Sequence, residues 1–423
     1  MSLKFVGFHL MPYQDLPDDF EKVYPSMHVT VPKKLYDPEK GYTMYHDYLD
    51  ELEYMVEVGL DGVGVNEHHN CAYGMMPSPN LMASILARKV RDTNTALVVL
   101  GNSIALYNPA VRIAEEGAML DVLSGGRLVQ GFPVGTSADT NYVYGVIPAE
   151  LRERYQEAHD LIIKSWKEEE MFSWNGKYNQ LRYVNPWPKP MQKPHPPIWI
   201  PGGGSVETYD LTIENNYQFS YLSLYGGNHA KKVMNSFWNR VEELGADMNP
   251  YRVGYTQIIF VSETDESAKR DYEQHVRYFY EKLQHSDPRT ADAPGYRTIK
   301  SLRAGLNSQL AAQAQGVKSA AQLAQSGELT WEDLIEQGYI VAGSPQTVRD
   351  RLREIAKDLR VGTIFALLHL GAMPRWLTMK NIQMFGEEVL PHLQDVWSDW
   401  DASEYWPKGV ISNSQQEISE WKY

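Results

Sequence analysis

Cysteine is nearly missing from this chain: of 423 residues only Cys71 is one, so no intrachain disulfide and no multi-cysteine zinc site can form. That fits a reducing, cytoplasmic compartment. No run reaches the ~18 apolar residues a spanning helix needs, and the start, MSLKFVGFHL, has no basic stretch ahead of an apolar segment and no small-residue cleavage site. A secretory signal is therefore not expected. Positive charge is short as well: 40 Lys and Arg stand against 54 Asp and Glu, a formal charge of −14. Such a balance repels polyanions and argues against nucleic acid and anionic membranes as partners. Several motifs are absent too. Without G-x-x-x-x-G-K-S/T or G-x-G-x-x-G, nucleotide hydrolysis and a Rossmann dinucleotide domain are disfavoured. Without G-x-S-x-G there is no serine elbow, and without H-E-x-x-H or H-x-H no zinc signature. Small molecules and other proteins remain as partners.

What is present is alternation. Short β-branched runs trade places with amphipathic stretches, the pattern of βα units around a parallel sheet. Strands are expected near residues 5, 63, 98, 129, 199, 220, 257 and 366, and eight strands with intervening helices imply a (β/α)8 barrel with its active groups on the loops after the strand ends. A helix capped by Asn108 with Pro109 first is expected to turn Val111, Ala114, Ala118 and Val122 inward, and Gly125-Gly126 to end it. In GSPQTVRDRLREI, Ser344 caps, Pro345 takes the first position, and Val348, Leu352 and Ile355 face inward. The barrel is expected over 1–390 with insertions at about 12–42 and 285–338. Residues 391–423 form an extension that packs on the barrel or on a partner subunit.

The chemistry concentrates in GVGVNEHHN, residues 62 to 70, where a small-residue strand runs out into Glu67, His68 and His69. A histidine at a barrel mouth can exchange a proton near neutral pH, and Glu67 can fix its tautomer. The bland alternative is that these histidines cap or pack. His9 could join His68 as a metal ligand, but adjacent histidines on extended backbone face opposite ways, and the spacing is weak. The loop PGGGS at 201–205 offers N–H groups at a helix start, as an anion site or simply as a tight turn; QGFPVG, 130 to 135, is a second such loop. Cys71 lacks a nucleophile's setting. Aromatics and methionines in 11–45 and 73–82 are candidates for an apolar substrate pocket, although most will be packing.

Taken together, GVGVNEHHN, the run from Val98 to Gly135, PPIWIPGGGS and GSPQTVRDRL resemble the bacterial luciferase-like, flavin-dependent monooxygenase family over most of residues 3 to 390. The segments 12–42 and 285–338 and the tail lie outside the likeness. The resemblance implies a barrel that takes reduced FMN at its mouth and, with O2, forms a C4a-(hydro)peroxyflavin that oxygenates a small to medium, apolar substrate. It maps the catalytic acid/base onto His68, with Glu67 orienting it. It places Asn102 and Ser103 beside the flavin ring and Phe132, Pro133, Gly203, Gly204 and Ser205 around the ribityl phosphate. It implies a separate flavin reductase as partner and a homodimer; no metal is expected, because the histidine spacing is weak. Some relatives carry an arginine for the phosphate in the strand-four loop, where this chain has Val134. The other readings are a deazaflavin (F420)-dependent oxidoreductase and a flavin-binding barrel without catalysis.

Overall fold

The computed structural model describes residues 2–222, 224–299, 302–303, 323 and 328–409. Eleven strands are present among them: β1 Lys4–Phe8, β2 Gly62–Val65, β3 Ala96–Val99, β4 Leu128–Gly131, β5 Phe172–Asn175, β6 Gln180–Val184, β7 Ile198–Gly202, β8 Gln218–Tyr221, β9 Val253–Val261, β10 Ile340–Gly343 and β11 Thr363–Leu367. Eight of them pair in parallel in the order β1-β2-β3-β4-β7-β8-β9-β11, and β11 returns to β1 with Lys4 opposite Thr363 and Gly7 opposite Ala366. The sheet is thus closed, with helices between successive strands: the (β/α)8 barrel expected from the alternation.

Two pieces of sheet were not foreseen. The antiparallel hairpin β5–β6 projects between the helix Leu151–Lys167 and β7. Strand β10 pairs with the upper half of β9, Ile340 opposite Ile258, without entering the barrel.

Helix ends follow local chemistry. Ser344 caps Pro345–Asp358 by accepting the Thr347 N–H, and Val348 and Leu352 are buried as expected. Gly125 and Gly126 stand at φ of 69° and 79°, where a Cβ is disfavoured, and they close the helix Val111–Leu123. That helix starts at Val111 rather than Pro109, and its buried face is turned from the expected one: Val122 is 42% exposed while Asp121 is buried. Two contacts set this rotation. Asp121 accepts hydrogen bonds from the N–H and side-chain amide of Gln192, and a Cβ on Gly117 would stand 2.9 Å from the Trp166 ring, so the glycine lets that ring close in.

The barrel interior explains the glycines of β2. Gly7 faces outward, because a Cβ there would strike Met55 of the helix Pro38–Glu57. Its neighbours Val6 and Phe8 therefore point inward, and Cβ atoms on Gly62 and Gly64 would crowd these same side chains at 3.2 to 3.5 Å. The interior is filled by large rings, with Phe8 and Trp199 each edge-on to Phe365.

The end of the barrel where the strands begin is shut by residues 390–406. The Leu3 N–H donates to Val396 O, Trp199 Nε1 to Tyr405 O, and the Trp406 ring lies 5.7 Å from that of Trp199. Residues 300–301, 304–322 and 324–327 of the 285–338 insertion, and residues 410–423 at the end of the tail, lie outside the described residues. Among the described residues no helix is long and apolar enough to cross a membrane.

Candidate active site

Beyond the end of β2 the inward–outward alternation carries on. Asn66 and His68 fall on the side of Gly62 and Gly64, while Glu67 and His69 fall on the other. The hydrogen bonds agree. Glu67 accepts from the Ser103 N–H at 2.7 Å and from Tyr107 Oη at 3.2 Å, and meets His69 Nε2 at 2.8 Å. It does not touch His68. The expectation that Glu67 orients His68 is therefore corrected: side chains one apart on extended backbone point apart, and Glu67 is bound to His69 instead.

The partner of His68 is Asp139, in a π-helical turn, Ala138–Val143, on the loop after β4. Its Oδ2 lies 3.2 Å from His68 Nδ1, and its Oδ1 accepts the His69 N–H at 2.7 Å. Burial pushes the Asp139 carboxyl up, but the hydrogen bond and charge of His68, the Thr136 hydroxyl and the His69 N–H outweigh it, and the group ends well below the usual carboxylate range. An ionised Asp139 holds a proton on His68 Nδ1, and His68 Nε2 has no partner among the described residues. Sequence reasoning missed Asp139 because it stopped at Gly135, and nothing local to Asp139 signals a partner on another loop.

The other expected residues divide. Ser103 and Glu67 are joined directly, and Asn102 lies beside them, its Oδ1 accepting from Gln130 Nε2 at 2.7 Å. Asn102 and Phe132 have no accessible surface, and the Phe132 ring stacks on Trp166 in the outer helix layer. In this conformation their side chains have no surface to offer a ligand. Pro133 is partly exposed.

Gly203, Gly204 and Ser205 sit together at the end of β7, where Ser205 caps the helix Val206–Glu214. A Cβ on Gly203 would meet nothing within 4 Å, so this backbone is open to an approaching group. In the first turn of that helix the Glu207 carboxyl, raised by burial but lowered further by hydrogen bonds, is also lowered by the charge of Arg152. Arg152 has its Nε sealed from water and without a hydrogen-bond partner. A helix start with open backbone at Gly203 and a guanidinium close enough to act on Glu207 has the chemistry to take an anion.

Cys71 is partly buried and its thiol is pushed up by burial, so it is no ready nucleophile. One cluster has the composition of a metal site: His9, Glu51 and His369, all buried, with ligand atoms within 4.8 Å of one another. Its hydrogen bonding argues otherwise. His9 Nδ1 accepts the Met11 N–H at 2.8 Å, so the proton of the neutral ring is on Nε2, which donates to Glu51 Oε2 at 2.9 Å. A protonated nitrogen cannot ligate. The cluster ties the seam between β1 and β11 to the helix Pro38–Glu57.

The mouth thus brings a histidine–carboxylate pair, from the loops after the second and fourth strands, to the same end of the barrel as the open glycine turn after the fifth, the end at which barrel enzymes carry their chemistry. The chain belongs to the luciferase-like monooxygenase family, whose profile matches residues 28–361. It is 24% identical over 241 residues to the oxygenase component of a flavin-dependent trigonelline monooxygenase from Acinetobacter baylyi, covering 56% of this chain and 65% of that one. To limonene 1,2-monooxygenase of Rhodococcus erythropolis it is 22% identical over 366 residues, 84% of this chain and 83% of the relative. The aligned part spans only 47% of the length of an uncharacterized Sinorhizobium fredii protein, y4wF, to which this chain is 33% identical over 165 residues. Among solved structures, the oxygenating constituent of 3,6-diketocamphane monooxygenase of Pseudomonas putida, in complex with FMN, shares the fold with a TM-score of 0.65 at 19% identity, covering 92% of this chain and 98% of that one. An F420-dependent secondary alcohol dehydrogenase does so with a TM-score of 0.59 at 16% identity, covering 93% and 100%.

Proposed function

We propose that this chain is the oxygenase component of a two-component monooxygenase, taking reduced FMN from a separate reductase and inserting one atom of O2 into a small to medium, largely apolar organic substrate. The observation that carries it is the His68–Asp139 pair in the barrel mouth of a member of this family. Bound flavin supplies the activation of O2. The chain's own residues do the rest. Ser205, the open Gly203 backbone beside Gly204, and Arg152 hold the phosphate. Asp139 keeps the His68 proton on Nδ1, so Nε2 takes and returns a proton at the reacting centre. Glu67, tied to Ser103, Tyr107 and His69, fixes the loops after β2 and β3 against each other, and in this role it acts on position rather than on the proton.

The absence of a G-x-G-x-x-G motif agrees with a separate reductase. A homodimer is the assembly we expect. The described part of the tail is used on the barrel's own end, and exposed Leu81, Ile85, Met119 and Val122, on the neighbouring helices Pro79–Val90 and Val111–Leu123, offer the apolar face instead.

The test is to mix the chain anaerobically with reduced FMN, admit oxygen, and follow the return of the oxidised flavin spectrum with the hydrogen peroxide released. The wild type should slow that return relative to free FMN, and His68→Ala should lose the effect. A wild type no slower than free flavin overturns the reading. Rapid NAD(P)H oxidation by the chain with FMN alone overturns the separate reductase, and F420 bound in preference to FMN favours hydride chemistry on the same barrel.

A further inference from the structure

The segment after β1 brings a histidine to the mouth that the reaction above does not use. His28 pairs with Cys71 as a single antiparallel bridge; on either side of it the Ala72 N–H donates to Met27 O at 3.0 Å and the Val29 N–H to Asn70 O at 2.9 Å. On its other flank the Met27 N–H donates to His285 O at 2.9 Å and His285 Nε2 to Tyr24 O at 2.8 Å. Residues 24–29 are thus a strap, stitched on one edge to the loop that carries His68 and on the other to the chain just past the helix Asp265–Tyr278.

The strap sets the His28 ring 6.2 Å from that of His68 and 6.1 Å from that of Tyr73, and the Tyr73 and His68 rings are 5.0 Å apart. Three polar-headed rings therefore touch in a triangle, yet they make no hydrogen bond to one another. The His28 ring and the Tyr73 hydroxyl bond to no described residue, and His68 uses only Nδ1. His28 Nε2 is sealed from water without a partner, which leaves Nδ1 as the nitrogen that a bound molecule can reach. Apolar side chains would fill this space at no such cost. An unpaired buried nitrogen is destabilising, and convergent unpaired polar groups at a mouth are what a ligand site looks like before it is filled.

The charges narrow the ligand. Burial, then the neighbouring His68, hold His28 down at about 4 against the opposing pull of Asp139, so its ring is neutral and has one N–H to donate. Burial, then Cys71, Tyr225 and Asp139, keep the Tyr73 phenol protonated, so it too is a donor. His68 also lines a cleft of about 410 Å³ with His69, Cys71, Met75 and Tyr144, in whose described wall there is no lysine, arginine, aspartate or glutamate; His28 and Tyr73 lie beside it rather than in its wall. Asp139 stands directly behind His68. Among the described residues of that cleft no cation is present to receive an anion, and two donors side by side suit an oxygen with two lone pairs and no proton of its own.

The geometry points to His28 and Tyr73 as substrate-binding residues that together hold the oxygen of an uncharged carbonyl compound beside His68. This rests on the mouth being the oxygenase site proposed above. It makes the 12–42 insertion the element that decides what the enzyme accepts.

Three ketones, acetophenone, 1-tetralone and 2-decanone, each matched with the hydrocarbon and the carboxylate of the same skeleton, serve as probes. Binding to the full chain is measured by ligand-observed NMR with and without oxidised FMN, and FMN affinity is measured separately. At least one ketone should bind about fivefold or more tightly than both of its partners, a single hydrogen bond's worth. His28→Phe and Tyr73→Phe should each remove about that factor for the ketone and nothing for the hydrocarbon, and His28→Gln, which keeps a donor, should restore part of it. The proposal is overturned if no ketone outbinds its partners, or if the variants weaken ketone and hydrocarbon alike. Ketone preference without FMN binding would sink the oxygenase reading and leave this one standing; FMN binding without ketone preference would do the reverse.

Discussion

The two ends of this barrel are built on opposite rules. Where the strands begin, large rings and backbone carbonyls close the opening. Trp199 Nε1 donates to Tyr405 O, Tyr251 Oη to Ser2 O, Asn249 Nδ2 to Asp401 O, and Arg127 spreads its donors over the carbonyls of Thr93, Ser124 and Gly125. Where the strands end, Asn66 Oδ1, His28 Nε2 and Tyr280 Oη are sealed from water without a partner, and His68 keeps one nitrogen free. One end fixes the shape of the molecule, and the other keeps His68 Nε2 and the Tyr73 hydroxyl without a described partner, as groups a ligand can bond. Substitutions that cost activity should therefore separate by end from substitutions that cost stability.

The sharpest break in that comparison is Asp139→Asn. The amide offers an N–H where the carboxylate accepted one, which drives the His68 proton from Nδ1 to Nε2 and removes the lone pair from the reacting side. We expect on the order of a hundredfold loss in the ability to delay flavin reoxidation, with peroxide release rising to match, and an unchanged melting temperature. A variant that melts much lower yet keeps that ability would assign Asp139 to the scaffold.

At the closed end the expectation reverses. Trp406→Ala opens a hole beside Trp199 and Lys4, whose ammonium lies 5.5 Å from the Trp406 ring centre. The loss should be about 3 kcal/mol in urea unfolding, while FMN affinity stays within about twofold of wild type, since no bond at the mouth changes.

The seam of His9, Glu51 and His369 links the two behaviours through pH. Burial lowers His9 from 6.5 to about 4, the Glu51 hydrogen bond opposing and His369 adding to the shift. A lowered folded value means that the unfolded chain takes the proton first, so this contribution is full above pH 6.5 and is lost as pH falls toward 4. Glu51, pushed up by burial but pulled down to about 2 by His369 and His9, extends the loss below pH 4.5. Thermal melts between pH 7.5 and 4.5 should show about 2 kcal/mol of acid destabilisation from His9. His9→Asn should flatten that part of the curve, and an identical slope in the variant would remove the seam from the account. His28 and His275, also held near 4, leave a residual slope in both.

Much of this was legible in the sequence, for particular reasons. All eight barrel strands sit where the alternation put them, because parallel strands buried on both faces read as short β-branched runs. The His68 loop was found because a strand of small residues ending in three ionisable groups is rare enough to notice. What escaped were relations across loops. Glu67 was given to His68 because they are adjacent in sequence, and extended backbone separates adjacent side chains. Asp139 and Arg152 lie 71 and 84 residues beyond His68, and only the barrel's closure brings their loops to one mouth. The rotated face of Val111–Leu123 escaped because a buried Asp121, satisfied by Gln192, runs against any count of apolar residues.

The smallest expected effect divides two adjacent glycines at the mouth. Gly204 stands at φ +99°, and a Cβ on it would come within 2.8 Å of the Tyr209 hydroxyl and of Val233. Gly204→Ala should therefore cost about 1–2 kcal/mol of stability. A Cβ on Gly203 would meet nothing, and Gly203→Ala should change stability by less than about 0.5 kcal/mol. Its effect belongs to the ligand. If this backbone lies against the flavin phosphate, the added methyl lowers FMN affinity several-fold and leaves riboflavin, which has no phosphate, bound as before. Equal losses for FMN and riboflavin would place the methyl against some other part of the flavin, and the phosphate would then have to be held elsewhere in the mouth.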